Sequence, residues 1–238
     1  MASFHPENGN LILNVVYDGA PRSGKTESMR ALGRLLGREV HTPKEENGRT
    51  LYFDWLEYEG GMRHGGPICC RVAGVPGQAA LRRRRVAILG GADVVIFVVD
   101  STPEGFPASL KMFKDLFGIL EVREREIPVL VQLNKRDLDG ALDAATIRGV
   151  LGAEATRRGH KETVAVDGQG IRELFVLAVG EALRCLESGD NLYRSGNEFR
   201  TQEVGLPNRE QLLDILSGYD EKDLGDDEGP KTAEISFA

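Results

Sequence analysis

Cysteine is scarce in this chain. Only 3 occur among 238 residues, Cys69, Cys70 and Cys185, an odd count without metal-ligand spacing, which excludes a disulfide framework and a thiolate metal centre. They read as reduced, structural thiols. No apolar run approaches the roughly 20 residues needed to span a bilayer. The start, Met1-Ala2-Ser3-Phe4-His5, lacks the basic and apolar regions of a secretion signal and a glycine for myristoylation, and the end, Ile235-Ser236-Phe237-Ala238, lacks a prenylation cysteine. A cytoplasmic protein without a direct membrane anchor is the expectation. Basic excess is missing too. Residues 187–238 hold 13 acidic against 5 basic side chains, so the formal charge of −7 belongs to the tail, and residues 1–186, with 24 acidic and 25 basic, carry no nucleic-acid footprint. What remains, 41% hydrophobic and 28% charged, is the composition of a globular protein long enough for one well-buried domain plus extras.

Within that domain, Gly19-Ala20-Pro21-Arg22-Ser23-Gly24-Lys25-Thr26 satisfies the full G-x-x-x-x-G-K-[ST] pattern. It follows the strand-like run Leu11 to Tyr17 and opens a helix-like stretch, Thr26 to Leu36, which is the setting the motif requires. Backbone N–H groups at such a helix N-terminus form an anion nest, the lysine reaches the β- and γ-phosphates, and the threonine hydroxyl takes a place on Mg²⁺. Gly19, Arg22, Ser23, Gly24, Lys25, Thr26 and Glu27 are therefore the candidate phosphate contacts.

A second motif supplies base choice. Asn134-Lys135-Arg136-Asp137 follows the apolar run Val129 to Leu133. A carboxylate at Asp137 accepts side by side from the ring N1–H and exocyclic amine of guanine; adenine has an acceptor at N1 and no such amine. Asn134 is expected to brace the loop and the stem of Lys135 to cover the base.

The remaining pattern alternates strand-like and helix-like stretches, as in a parallel-sheet α/β domain. Leu51 to Tyr58 and Ile68 to Ala73, joined by a glycine-rich turn at Gly60 to Gly66, predict an antiparallel hairpin. Val94 to Val99 reads as a central strand covered on both faces. Helical periodicity runs over Leu110 to Leu120, Thr146 to Arg158 and Ile171 to Leu186, with a short last strand at Thr163 to Val166. Six strands, mostly parallel, and five helices make a domain of residues 1–186. Residues 187–238 are an acidic, partly disordered extension, with a capped helix expected at 208–218. Arg82-Arg83-Arg84-Arg85 reads as a solvated basic helix face, or else as a docking surface for an acidic partner or the tail.

These motifs together resemble the Ras-like P-loop small GTPases. More narrowly, Gly48-Arg49-Thr50-Leu51-Tyr52-Phe53-Asp54-Trp55 and Val75-Pro76-Gly77-Gln78 resemble the bacterial MglA-like group of cell polarity and motility, over about residues 10–186. The resemblance implies GTP and GDP as ligands with Mg²⁺. It implies Gln78, after Gly77, as the residue that orients the attacking water, and Arg49 as an arginine supplied by the chain itself, an effect of about 10³–10⁵ in rate when well placed. Thr50 would join Thr26 on the metal, Asp54 would hold a metal-bound water, and the Ala165 N–H would meet the guanine carbonyl. Slow GTP hydrolysis, a roadblock-fold, MglB-like activating partner and effector proteins follow from the same likeness.

Two departures bear on the chemistry. The aspartate that Ras proteins place three residues before the switch glycine is Gly74 here, as it is also absent from the MglA group. Pro21 stands where relatives carry glycine, and its ring removes an N–H. They support an alternative in which the chain binds nucleotide and partners but hardly hydrolyses GTP. A third class, a P-loop ATPase or kinase, predicts that Asp137→Asn leaves nucleotide choice unchanged.

Overall fold

The computed structural model describes residues 3–4, 10–41, 54–63, 66–75, 82–121, 126–152 and 156–187. Arg49, Thr50, Gly77, Gln78, residues 51–53 of the expected hairpin, the extension from residue 188 and its helix at 208–218 lie outside them.

The order of elements is β1 (Ser3–Phe4), β2 (Leu11–Asp18), α1 (Lys25–Leu36), β3 (Trp55–Arg63), β4 (Gly66–Gly74), α2 (Arg82–Gly90), β5 (Val94–Asp100), α3 (Phe106–Glu121), β6 (Val129–Asn134), α4 (Ala144–Leu151), β7 (His160–Glu162) and α5 (Ile171–Glu187). Among the described residues these make one seven-stranded sheet in the order β3-β4-β2-β5-β6-β7, with β1 paired to β2. Pairing is parallel from β4 through β7 and antiparallel for β3 with β4, so the expected hairpin is present. The two residues of β1 pair antiparallel with Leu11 and Ile12, where β2 has not yet met β5. This is the parallel-sheet α/β architecture that the alternating pattern implied and the Ras-like GTPase fold that the resemblance implied.

Apolar sequence explains the layers. β2, β5 and β6 are buried along almost their whole length, as runs such as Val94-Val95-Ile96-Phe97-Val98-Val99 require. One face packs Leu13, Val15, Tyr17, Ile96 and Val98 against Met29 and Leu32 of α1 and Leu174, Phe175 and Ala178 of α5. On the other, Phe97 meets Phe113 of α3 edge to face at 4.9 Å between ring centroids, an arrangement favoured by the ring quadrupoles. No helix among the described residues is long and apolar enough to cross a membrane.

Several boundaries differ from the sequence expectation: α3 begins at Phe106 rather than Leu110, and the hairpin strands extend to Arg63 and from Gly66 into the glycine-rich stretch expected to be the turn. The helix expected over 146–158 spans Ala144–Leu151: the Asp143 carboxylate accepts from the Thr146 N–H at 2.9 Å and starts it earlier, and Gly152, at φ 94, ends it. The last strand is His160–Glu162 rather than Thr163–Val166. Thr163 still donates its N–H to the Leu133 carbonyl at 2.8 Å, but the next N–H groups leave the ladder, Val164 for the Gln169 carbonyl at 3.1 Å and Ala165 for the Asn134 side chain at 3.1 Å.

Order also positions the site. Asp18, Gly74, Asp100 and Asn134 each end a parallel strand, so all four lie along one edge of the sheet. β2 has β4 on one side and β5 on the other, and the crevice beyond its end is the topological switch point where ligands of open α/β sheets bind.

Candidate functional site

The loop after β2 folds as its motif demands. Gly24 precedes α1 at φ 103, and a Cβ there would run into the Asn134 amide, so glycine meets both a conformational and a spatial requirement. Gly19 is equally confined, beneath the Val98 carbonyl. Pro21 and Arg22 form the exposed crest, Arg22 in the left-handed region at φ 63. Lys25 donates to the carbonyls of Gly19 at 2.7 Å and Ala20 at 2.8 Å, which places its ammonium over the loop. Burial pushes this ammonium down to about 8; the carboxylates of Asp18 and Asp54 pull it upward, and the Arg85 guanidinium adds to the downward push. Ser23 Oγ is buried and has no hydrogen-bond partner among the described residues, which suits a loop that expects a polar ligand. Thr26 follows at the head of α1. Glu27 turns outward and accepts from Arg30 at 2.7 Å, an exposed pair one turn apart rather than a lining of the loop.

Asn134 ties three segments together. Its side-chain amide donates to the Ser23 carbonyl of the phosphate loop at 2.9 Å, while its Oδ1 accepts from the Ala165 N–H and the Thr163 hydroxyl, each at 3.1 Å. The bracing role expected of Asn134 thus has a definite form. The Ala165 N–H, expected to meet a guanine carbonyl, is held by Asn134, so such a carbonyl would share it. Beneath, Gln132 donates to Ser28 Oγ at 2.7 Å and Thr163 Oγ1 at 3.1 Å, linking α1 to the same segment.

Lys135 adopts φ 64, uncommon for a residue with a side chain, and donates to Asp100 Oδ2 at 2.6 Å. Burial works against the charge of Asp100, but the Lys135 ammonium and the N–H and hydroxyl of Thr102 outweigh it and hold the carboxyl below its ordinary value. The lysine stem is thereby fixed across the end of β5. Asp137 is exposed, on the turn that follows, and no described residue donates to its carboxylate.

Near the phosphate loop, Gly74 stands where a metal-proximal aspartate was looked for. Its N–H donates to the Asp54 carbonyl at 2.8 Å, and a Cβ on it would come within 2.9 Å of the Met29 sulfur, which is fully buried. Space therefore excludes a side chain here unless Met29 moves. Asp54 is buried beside it, and its carboxylate acts on Lys25. Upstream, His41 is bridged to Trp55 at the start of β3 and stacked on its ring at 4.6 Å.

Arg85 overturns the reading of the arginine run as a solvated face. Arg82 and Arg83 are exposed, but the Arg85 side chain is 4% exposed and forks onto Asp18, Nε to Oδ1 at 2.9 Å and Nη2 to Oδ2 at 2.7 Å. Asp18, Arg85, Asp100 and Gln132 were not singled out from sequence. A charged residue closing an apolar strand, as in Tyr17-Asp18 and Val99-Asp100, is the signal that could have found two of them.

Comparison with known proteins agrees with this geometry. Residues 68–179 match the ADP-ribosylation factor family. The chain is 31% identical over 144 residues to the mutual gliding-motility protein MglA of Myxococcus xanthus (strain DK1622), covering 58% of this chain and 74% of that protein. It is 24% identical over 194 residues to ADP-ribosylation factor-like protein 6 of Caenorhabditis briggsae, covering 76% of this chain and 92% of that one. The fold is shared with the Arl6 BBS3 small GTPase of Trypanosoma brucei, solved with the nucleotide analogue GppNp, at a TM-score of 0.53 and 23% identity, covering 73% of this chain and 98% of the other. The chain therefore belongs to the MglA-type small GTPases, nucleotide-dependent switches, and its central part resembles the ADP-ribosylation factor family.

Proposed function

We propose that the protein binds GTP and GDP through the loop at Gly19–Thr26 and the segment Asn134–Asp137, and hydrolyses GTP slowly unless a roadblock-fold, MglB-like partner stimulates it. The observation that supports this best is the Asn134 node, because one side chain couples the phosphate loop to the segment that faces the base. Asp137, exposed and without a donor among the described residues, reads the guanine edge; Lys135, pinned by Asp100, lays its stem against the ring.

The described residues fit a magnesium ion. Thr26 lies in the first turn of α1 and Asp54 is buried beside Gly74, oxygen donors of the kind this ion takes. Thr26 and Thr50 would hold it directly, and the buried Asp54 through a water, in place of the carboxylate that Gly74 cannot offer. Bound there, the ion would neutralise charge on the β- and γ-phosphates. Gln78 orients the water and Arg49 meets the charge that develops on the transferred group.

In the switch reading, GTP orders residues 38–50 and 74–85, effectors recognise that state, and hydrolysis releases it. A cytoplasmic role in cell polarity or motility, with placement set by protein partners, fits the likeness to MglA. Pro21 at the loop crest favours a second reading, a nucleotide-bound interaction protein with little hydrolysis. Single-turnover GTP cleavage with and without a roadblock-fold protein separates them. The switch reading expects partner-stimulated cleavage that Arg49→Ala and Gln78→Leu each reduce; no cleavage in any condition would leave the second reading standing.

A further inference from the structure

Asp18 is fully buried and immediately precedes Gly19, whose carbonyl accepts from Lys25. Two cations thus converge on one stretch of backbone, Lys25 from within the phosphate loop and Arg85 from α2. Arg85 satisfies both oxygens of Asp18, and its remaining donors go to Asp115 Oδ2 through Nη1 and to the Met112 carbonyl at 3.2 Å through Nη2. Asp115, on α3, also receives the exposed Arg82 at 3.4 Å. Four of the guanidinium's five N–H donors are therefore taken up inside the protein, two of them by the carboxylate beneath the phosphate loop.

A buried carboxylate needs a cation. Were Arg85 absent, Asp18 would stay beneath the loop with Lys25 as the cation nearest in sequence and already drawn toward it, Asp18 being the strongest charge attracting that ammonium. An ammonium committed to Asp18 is lost to phosphate, and an unpaired carboxylate under the loop repels phosphate directly.

We propose that Arg85 is a positioning residue for the nucleotide phosphates: by pairing bidentately with Asp18 it neutralises the carboxylate under the phosphate loop and leaves Lys25 to the β- and γ-phosphates. The proposal rests on the guanine-nucleotide reading above and deepens it. It also gives α2 a part in nucleotide affinity, since the helix that follows residues 76–81, Gln78 among them, supplies the neutralising charge.

The test uses the full-length chain with Mg²⁺ and compares wild type, Arg85→Met and the double variant Asp18→Asn/Arg85→Met, titrated with fluorescent GDP and with GMP, which lacks the β-phosphate that Lys25 reaches. Removing the guanidinium alone should weaken GDP binding by about tenfold or more while GMP binding changes by less than about threefold. The double variant, which has no buried charge to satisfy, should regain GDP affinity to within about threefold of wild type. A merely structural clamp predicts the opposite: equal losses for GDP and GMP, and a double variant as weak as Arg85→Met. Should Arg85→Met fail to fold, the double variant still decides, near-wild-type GDP affinity supporting the proposal and weak binding overturning it. Unchanged GDP affinity in a folded Arg85→Met overturns the proposal and leaves the nucleotide reading intact, whereas a wild type that binds no guanine nucleotide overturns both.

Discussion

The loops after β2 and β6 share Asn134, yet their surroundings are built from different interactions. Around β6, neutral groups dominate: the Asn134 amide, the Thr163 hydroxyl, the Gln132 amide and backbone N–H groups, with Lys135 and Asp100 paired at the rim. Around β2, buried charges dominate: Asp18 with Arg85, Asp54 beside Gly74, and Lys25 over the loop carbonyls. The difference suits the two halves of a nucleotide. A planar base is discriminated by donor and acceptor placement, which neutral networks hold rigidly. A phosphate is held by charge, and any other charge nearby has to be neutralised without using up the groups meant for the ligand.

That contrast can be broken at several points. The largest effect is expected at Asp137, where Asn exchanges one of two acceptors for a donor: GDP affinity should fall by about a hundredfold or more while folding stability stays the same, as measured by titration alongside urea unfolding. Asn134→Ala should do both kinds of damage. It leaves the Ser23 carbonyl, the Ala165 N–H and the Thr163 hydroxyl short of a partner, so stability should drop by about 1–3 kcal/mol and nucleotide binding should weaken with it. At Gly74 the cost is packing alone: Ala brings a Cβ against the buried Met29 sulfur, and a loss of about 1–2 kcal/mol in urea unfolding is the expected outcome. Glu27→Ala, removing an exposed ion pair with Arg30, should change stability by less than about 0.5 kcal/mol and GDP affinity hardly at all. A large effect at Glu27 would show that the phosphate loop extends further along α1 than its geometry suggests.

Legibility in the sequence followed the same divide. The loop after β2 and the turn after β6 could be placed from contiguous motifs, because their backbone shape depends on residues a few positions apart. The parallel sheet and the central strand were readable from the alternation and the apolar runs, and the hairpin from its short glycine-rich link. Arg85 was not, since nothing in Arg82-Arg83-Arg84-Arg85 says which side chain turns inward; that depends on Asp18, 67 positions away, and on α3. The last strand failed for a related reason. Thr163-Val164-Ala165-Val166 has strand composition, but after Thr163 its N–H groups leave the ladder, Val164 for the Gln169 carbonyl and Ala165 for the Asn134 side chain, so β7 ends at Glu162. The α4 boundary was set by a cap and a left-handed glycine, local features that periodicity alone overlooks.

The account stands most directly on base choice. Fluorescent GDP bound to the wild-type chain, challenged in parallel with GDP and ADP, measures it in a single experiment. Displacement by GDP, with ADP ineffective even at about a thousandfold excess, is what a carboxylate reading the guanine edge predicts. Equal displacement by the two nucleotides would contradict it.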